Sequence, residues 1–299
     1  MFSMPSVSSV SLSRVAFGTL PVAVVVLLAA GLPGPRVARA DATGDMARSL
    51  LERNKGAAIT CTVVIKVAGG PNGEESNGEL EVEGVVIDAS GLIVVPNTSI
   101  DPTSLFASIA GEGAIGNVTS KVVSVRILTT GSAEIPAKVV LRDTDRNLAF
   151  LRPITAPATP LPFVDLKTAG KAQAGEAVFV LGRMGKTGNR GAEVGFTRVT
   201  GTIERPRLTY VVQPLTGAGS PGNLVFNEQG QPLGLLGVKL SVGRRSGFGG
   251  QDVLQIVVPV EDILEIGAQA PQAKDVRDET VPAKATPAKL AAPAKKPAK

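Results

Sequence analysis

Twelve runs rich in valine, isoleucine and threonine, none longer than eight residues, occupy 60–67, 80–87, 92–95, 121–128, 137–141, 148–151, 177–181, 197–203, 208–213, 224–226, 233–238 and 254–258. Turn signals separate them, among them Gly69-Gly70-Pro71-Asn72-Gly73, Asp88-Ala89-Ser90-Gly91 and Asn227-Glu228-Gln229-Gly230. β-branched runs punctuated in this way specify strands, and their even spacing specifies an all-β barrel or sandwich rather than a parallel sheet with helices. Pro153 to Pro162 is rich in proline, which cannot donate to a sheet ladder, so the chain divides there into β units at about 56–155 and 163–260. Short amphipathic helices are expected at 41–55, through Met46, Leu50 and Leu51, and after Pro259.

The ends have a different character. Residues 1–40 carry three arginines and no acid, run uncharged from Val15 to Pro35, and finish on Ala38-Arg39-Ala40. That is the layout of a secretory leader cleaved after Ala40, leaving Asp41 first; a retained anchor is the competing reading. Export to the periplasm or beyond is the expectation, with no membrane span after cleavage. Residues 269–299 collapse into Ala, Lys and Pro and are expected to be disordered. This basic tail is either a solvated spacer or a contact for an anionic envelope polymer. Without leader and tail the body from 41 to 270 has a net charge of about −2, which argues against a nucleic-acid partner.

Two counts limit the chemistry. Cys61 is the single cysteine, so no internal disulfide forms, and its apolar surroundings suit a buried thiol better than a nucleophile. The 299 residues contain no histidine. No cofactor is expected, and metal binding would fall to carboxylates such as Glu79, Glu81 and Glu83, whose alternation with Leu80 and Val82 reads more simply as the wet face of a strand. The segment 182–187 misses a phosphate-binding loop, because Val180 stands where glycine is required.

Several segments occur in a familiar order. Gly84-Val85-Val86-Ile87-Asp88, Gly91 through Thr98, and Asp143 through Leu151 resemble the first barrel of trypsin-like serine proteases, most closely the HtrA-like branch. Ala174 through Gly182, Val199-Thr200-Gly201-Thr202-Ile203, Gln213 through Gly234 and Gln255 through Pro259 resemble the second. The resemblance implies a two-barrel trypsin-like fold over 56–268 with short terminal helices. It also assigns positions. Thr98 stands where the family has its histidine, and Asn147 where it has the orienting aspartate. The nucleophile segment reads Gly219-Ser220-Pro221-Gly222-Asn223-Leu224. Registering Val225-Phe226-Asn227 puts Pro221 in the serine's place, and shifting by one makes Ser220 the serine.

A serine hydroxyl needs a positioned base to take its proton, and neither a threonine hydroxyl nor an asparagine amide is one. Proline also lacks the backbone N–H that the family uses in its oxyanion hole. The expectation is therefore a pseudoprotease that holds a polypeptide or protein partner of the envelope in a groove lined by Thr98, Gly217, Gly219, Gly222, Gln255 and Val257. Two other readings remain. One is an endopeptidase using Ser220 with a lysine base, Lys186 or Lys239. The other is a structural envelope protein attached through its tail.

Overall fold

The structure, a computed structural model, describes residues 41–69, 75–103, 118–129, 133–242 and 251–276. The expectations for the leader and for the tail beyond 276 lie outside the described residues, but residues 270–276, expected to be disordered with the rest of the tail, instead pack on the first barrel, where Ala273 is buried and the Pro271 and Val276 carbonyls accept from Arg152 and Lys138. Twelve antiparallel strands close into two barrels. The first contains β1 (Ala58–Ala68), β2 (Glu75–Val86), β3 (Ile93–Pro96), β4 (Thr119–Leu128), β5 (Glu134–Asp143) and β6 (Leu148–Pro153), in the order β1-β2-β3-β6-β5-β4. The second contains β7 (Ala177–Arg183), β8 (Ala192–Ile203), β9 (Thr209–Val212), β10 (Leu224–Asn227), β11 (Pro232–Val242) and β12 (Gln251–Pro259), in the order β10-β11-β12-β9-β8-β7. This is the all-β two-barrel trypsin-like architecture expected from the sequence, with helices α1 (Ala42–Asn54), α2 (Asn97–Ile100) and α3 (Val260–Gly267).

Two of the three cores are barrel interiors. Cys61, Val63 and Ile65 point inward with Val82, Val86 and Ile93 in the first barrel, and burial pushes the Cys61 thiol up to about 12. Val178, Val180, Val212, Val225 and Val257 fill the second. The third core lies between the barrels. It takes Val85, Val94 and Phe150 from one, Phe179, Leu224 and Phe226 from the other, and Leu50 and Ile263 from the two longer helices. Helix α1 carries an acid in its first turn and an arginine in its last, each sign suited to the helix dipole there. It contributes one fully buried side chain, Leu50.

Helix α3 is fixed by charge as well as burial. Arg146, 7% exposed, meets Asp143 at 3.0 Å, Asp262 at 3.3 Å and Glu265 at 2.9 Å. These pairs tie the β5–β6 turn to the helix.

Across the seam the buried Arg183 guanidinium is shared among three carbonyls: Nε donates to Ala58 at 2.6 Å, Nη1 to Arg190 at 2.9 Å and Nη2 to Lys55 at 2.9 Å. Beside it stands Glu83, which is half-buried, while Glu79 on the same face of β2 is exposed. The strand has a wet face only as far as the second barrel leaves it uncovered. Burial pushes the Glu83 carboxyl up to about 7 and Glu193 adds to the rise, against hydrogen bonds from Arg183 N–H and Asn223.

Leu50→Ala should destabilise the fold by about 2–5 kcal/mol in urea unfolding, and Leu51→Ala, on the half-buried flank of α1, by clearly less. Glu83 gives a pH signature. The folded state keeps a proton that the unfolded chain has lost, so this carboxyl's contribution to stability falls as pH rises from about 4.5 to about 7. Glu83→Gln should therefore melt above wild type at pH 8, with the gap closing toward pH 4.5.

Candidate functional site

Of the positions assigned by the resemblance, Thr98 and Asn147 are hydrogen-bonded to each other, and the loop that carries Ser220 and Pro221 reaches the first barrel through Gly222. Thr98 lies on α2 directly after β3, and Asn147 ends the turn into β6. Asn147 has φ 55°, a left-handed conformation that asparagine tolerates better than most side chains. Its Oδ1 accepts the Thr98 N–H at 2.8 Å and its carbonyl accepts the Asn97 N–H at 3.0 Å. Its Nδ2 faces Gly237 of β11, 4.0 Å from where a Cβ would stand. Asn147 thus links α2, the β5–β6 turn and β11 as a neutral strut.

The loop Leu215–Pro221 closes the site from the other barrel, and it is braced from inside. Gln255 Oε1 accepts the Leu215 N–H at 2.9 Å, and its Nε2 donates to the Gly219 carbonyl at 3.1 Å. Asn223 Nδ2 donates to the Ala218 carbonyl at 2.8 Å. Two glycines permit this path. A Cβ on Gly219 would lie 1.8 Å from the Leu215 carbonyl oxygen, and one on Gly222, at φ 103°, 2.0 Å from the Glu83 carbonyl oxygen and 3.2 Å from Pro96. The second contact presses the loop against the first barrel beside α2.

Ser220 and Pro221 are half-buried at the end of this loop. The Ser220 carbonyl accepts the Asn223 N–H at 3.4 Å, and among the described residues its hydroxyl has no hydrogen-bond partner. Of the lysines considered as a base, Lys186 reaches Glu81 at 3.5 Å, and Lys239 stands on β11 opposite Leu254. No described hydrogen bond joins either of them to Ser220.

The expected groove needs correction. Of its residues, Gly217 is exposed and Thr98 half-exposed, whereas Gly219 and Gly222 are buried. Val257 is 0% exposed, in the core of the second barrel, and Gln255 is spent on the loop. Both belong to a stretch of β12 paired on either side, with β11 and with β9, so neither offers an edge to a peptide. Sequence reading placed them by position along the chain, and barrel closure turned them inward. It missed Asn223 and Glu83, whose roles come from contacts across the loop and the seam.

A cavity of about 760 Å³ lies elsewhere, between the outer face of β1, β2 and β4 and the β7–β8 loop. Arg190 pairs there with Glu81 and Arg126 with Glu79 and Glu134, while Lys55 is paired with Glu52 and Arg183 bonded to carbonyls, and the lining includes none of the site residues above. Among the described residues no group of three or more His, Cys, Asp or Glu could hold a metal ion, and no helix is long and apolar enough to cross a membrane.

No curated protein matches the sequence. Among solved structures the chain is similar to the HtrA-type protease AlgW, a variant form with a decapeptide, at 15% identity and a TM-score of 0.52. That match covers 74% of this chain and 65% of the other, so this chain spans less than two thirds of that protease. Residues 82–235, just over half of the chain, match the family described as trypsin-like peptidase domain, from within β2 to the middle of β11. With two antiparallel six-stranded barrels and that match over residues 82–235, the chain belongs to the trypsin-like peptidase family.

Proposed function

We propose that this protein is an exported, non-catalytic member of the family that holds an extended polypeptide of the cell envelope against the open edge of β11. The observation that carries the reading is the pairing of that strand. β12 pairs with β11 from Gly234 to Val242, but β10 pairs with it only at Pro232, Gly234 and Leu235. The Leu236 N–H and C=O still face that side, bonded to Asn223 and Gly222 at 2.8 Å each. Backbone groups alternate along an antiparallel strand, so those of Val238 and Leu240 face the same side, where no described strand takes them up. Such an edge binds an extended peptide by strand addition. It begins at Gly237, beside Asn147 and hence beside Thr98. The HtrA-type protease that shares the fold was itself solved with a decapeptide.

Loss of hydrolysis is supported by the chain's lack of histidine and by the unpartnered Ser220 hydroxyl. Export is supported by the leader-like residues 1–40.

A fluorescent extended peptide titrated into the purified protein should bind saturably. Val238→Pro removes one outward N–H without touching a β11–β12 ladder bond, and should weaken binding about tenfold; unchanged affinity in the folded variant would sink the edge reading. Unfolded casein should stay intact, and a fluorophosphonate should leave Ser220 unlabelled. Cleavage that disappears in Ser220→Ala would replace this proposal with the endopeptidase reading.

A further inference from the structure

A second cavity, of about 310 Å³, opens between the end of β6, the β2–β3 turn and the segment after α3. Arg152 lines it and is 7% exposed. Its Nε donates to the Pro271 carbonyl at 3.0 Å, and one Nη1 N–H donates to the Ser90 hydroxyl, whose own proton goes to Asp88 Oδ1 at 2.5 Å. Both acceptors are neutral. Arg146, whose side chain is also largely covered, is matched by three carboxylates, whereas no carboxylate pairs with Arg152 among the described residues. A guanidinium has five N–H donors in a planar fork. Two are used here, which leaves one N–H on Nη1 and two on Nη2 without a protein partner among the described residues. None of the Arg152 nitrogens is among the buried atoms left without a partner, so the unused donors reach open space in the cavity and are free to meet a ligand.

The other walls indicate what fits. Lys274 adds an exposed second cation, and Gln272 an amide. Ile154, 56% exposed, and Ala156 give an apolar side. Two acids stand near. Asp88 is turned to the N–H groups of Ser90 and Leu92 and to the Ser90 hydroxyl, and Asp275 is exposed, with no ion pair to Arg152 or Lys274. The room exceeds that of a bare ion, and one side of it is greasy.

We infer that this cavity is a binding site for an organic carboxylate bearing a short apolar group, seated with its two oxygens on the Nη1–Nη2 edge of Arg152, near Lys274, and its apolar group against Ile154 and Ala156. A planar carboxylate matches that edge in a bidentate pair. The site shares no residue with the β11 edge and does not depend on the peptide-binding proposal.

The test is a titration of the full-length protein with N-acetyl-leucine, followed by NMR, beside its amide, inorganic phosphate and a pentapeptide ending in a free leucine carboxylate. The acid should bind saturably at millimolar concentration, and the amide and phosphate at least tenfold more weakly. Arg152→Gln should abolish binding. Because Arg152 also holds Pro271 and Ser90, its folding is checked by thermal melting, and the exposed Lys274→Glu serves as the second variant, expected to weaken binding about tenfold. A pentapeptide binding tenfold more tightly than the acid supports a chain terminus as the natural ligand, and equal affinities support a small free acid. The inference is overturned if the acid does not bind, if the amide or phosphate binds as well, or if folded Lys274→Glu binds as wild type does.

Discussion

Everything in this fold depends on apolar burial between two barrels that are each already filled. A closed barrel has a core of its own and usually leaves its outer face to water. Here part of each outer face is also buried, in the shared core that includes Phe150, Phe179, Leu224 and Phe226. The strands that serve both cores cannot alternate. β3, β6, β7 and β10 are buried at every position, whereas β8, past the half-buried Val194 that it brings to the shared core, alternates between exposed Phe196 and Arg198 and buried Thr197 and Val199. Polar groups caught in the seam then need partners of their own, which explains why Arg183 is spread over three carbonyls and why Glu83 resists ionisation.

The seam also fixes the shape of the loops that meet there. The Thr98 N–H needs an acceptor, and an asparagine oxygen serves as well as an aspartate's would; only a charged imidazole beside it would require the negative charge. The loop Leu215–Pro221 is likewise held by Gln255, Asn223 and glycine contacts rather than by the side chains of Ser220 and Pro221.

Most of the architecture was legible because it is written in short-range signals. Each of the twelve β-branched runs contains or overlaps a strand, and both longer helices follow the spacing of Leu50 and Ile263 with their neighbours. The proximity of Thr98 to Asn147, 49 positions apart, was legible only through resemblance, since no local pattern carries it. What failed were statements about which way a side chain faces once a barrel closes or a second barrel covers it. Val257 reads like any strand valine, and Glu83 like its neighbours Glu79 and Glu81. Periodicity describes one strand, and the partner that buries one residue of a face while sparing the next lies about a hundred positions away, at Arg183.

The same division between backbone and side chain bears on what a protease fold retains when its chemistry changes. Activating a serine hydroxyl requires a few side chains at fixed separations, and one substitution among them removes it. Presenting an open strand edge requires only that β10 be shorter than β11, which is a property of where the Leu224–Asn227 run stops and the turn to Pro232 begins. Nothing at positions 98, 147 or 221 enters that requirement. If the proposed reading holds, recognition of extended polypeptide follows from the topology alone, whereas hydrolysis requires side chains added to it.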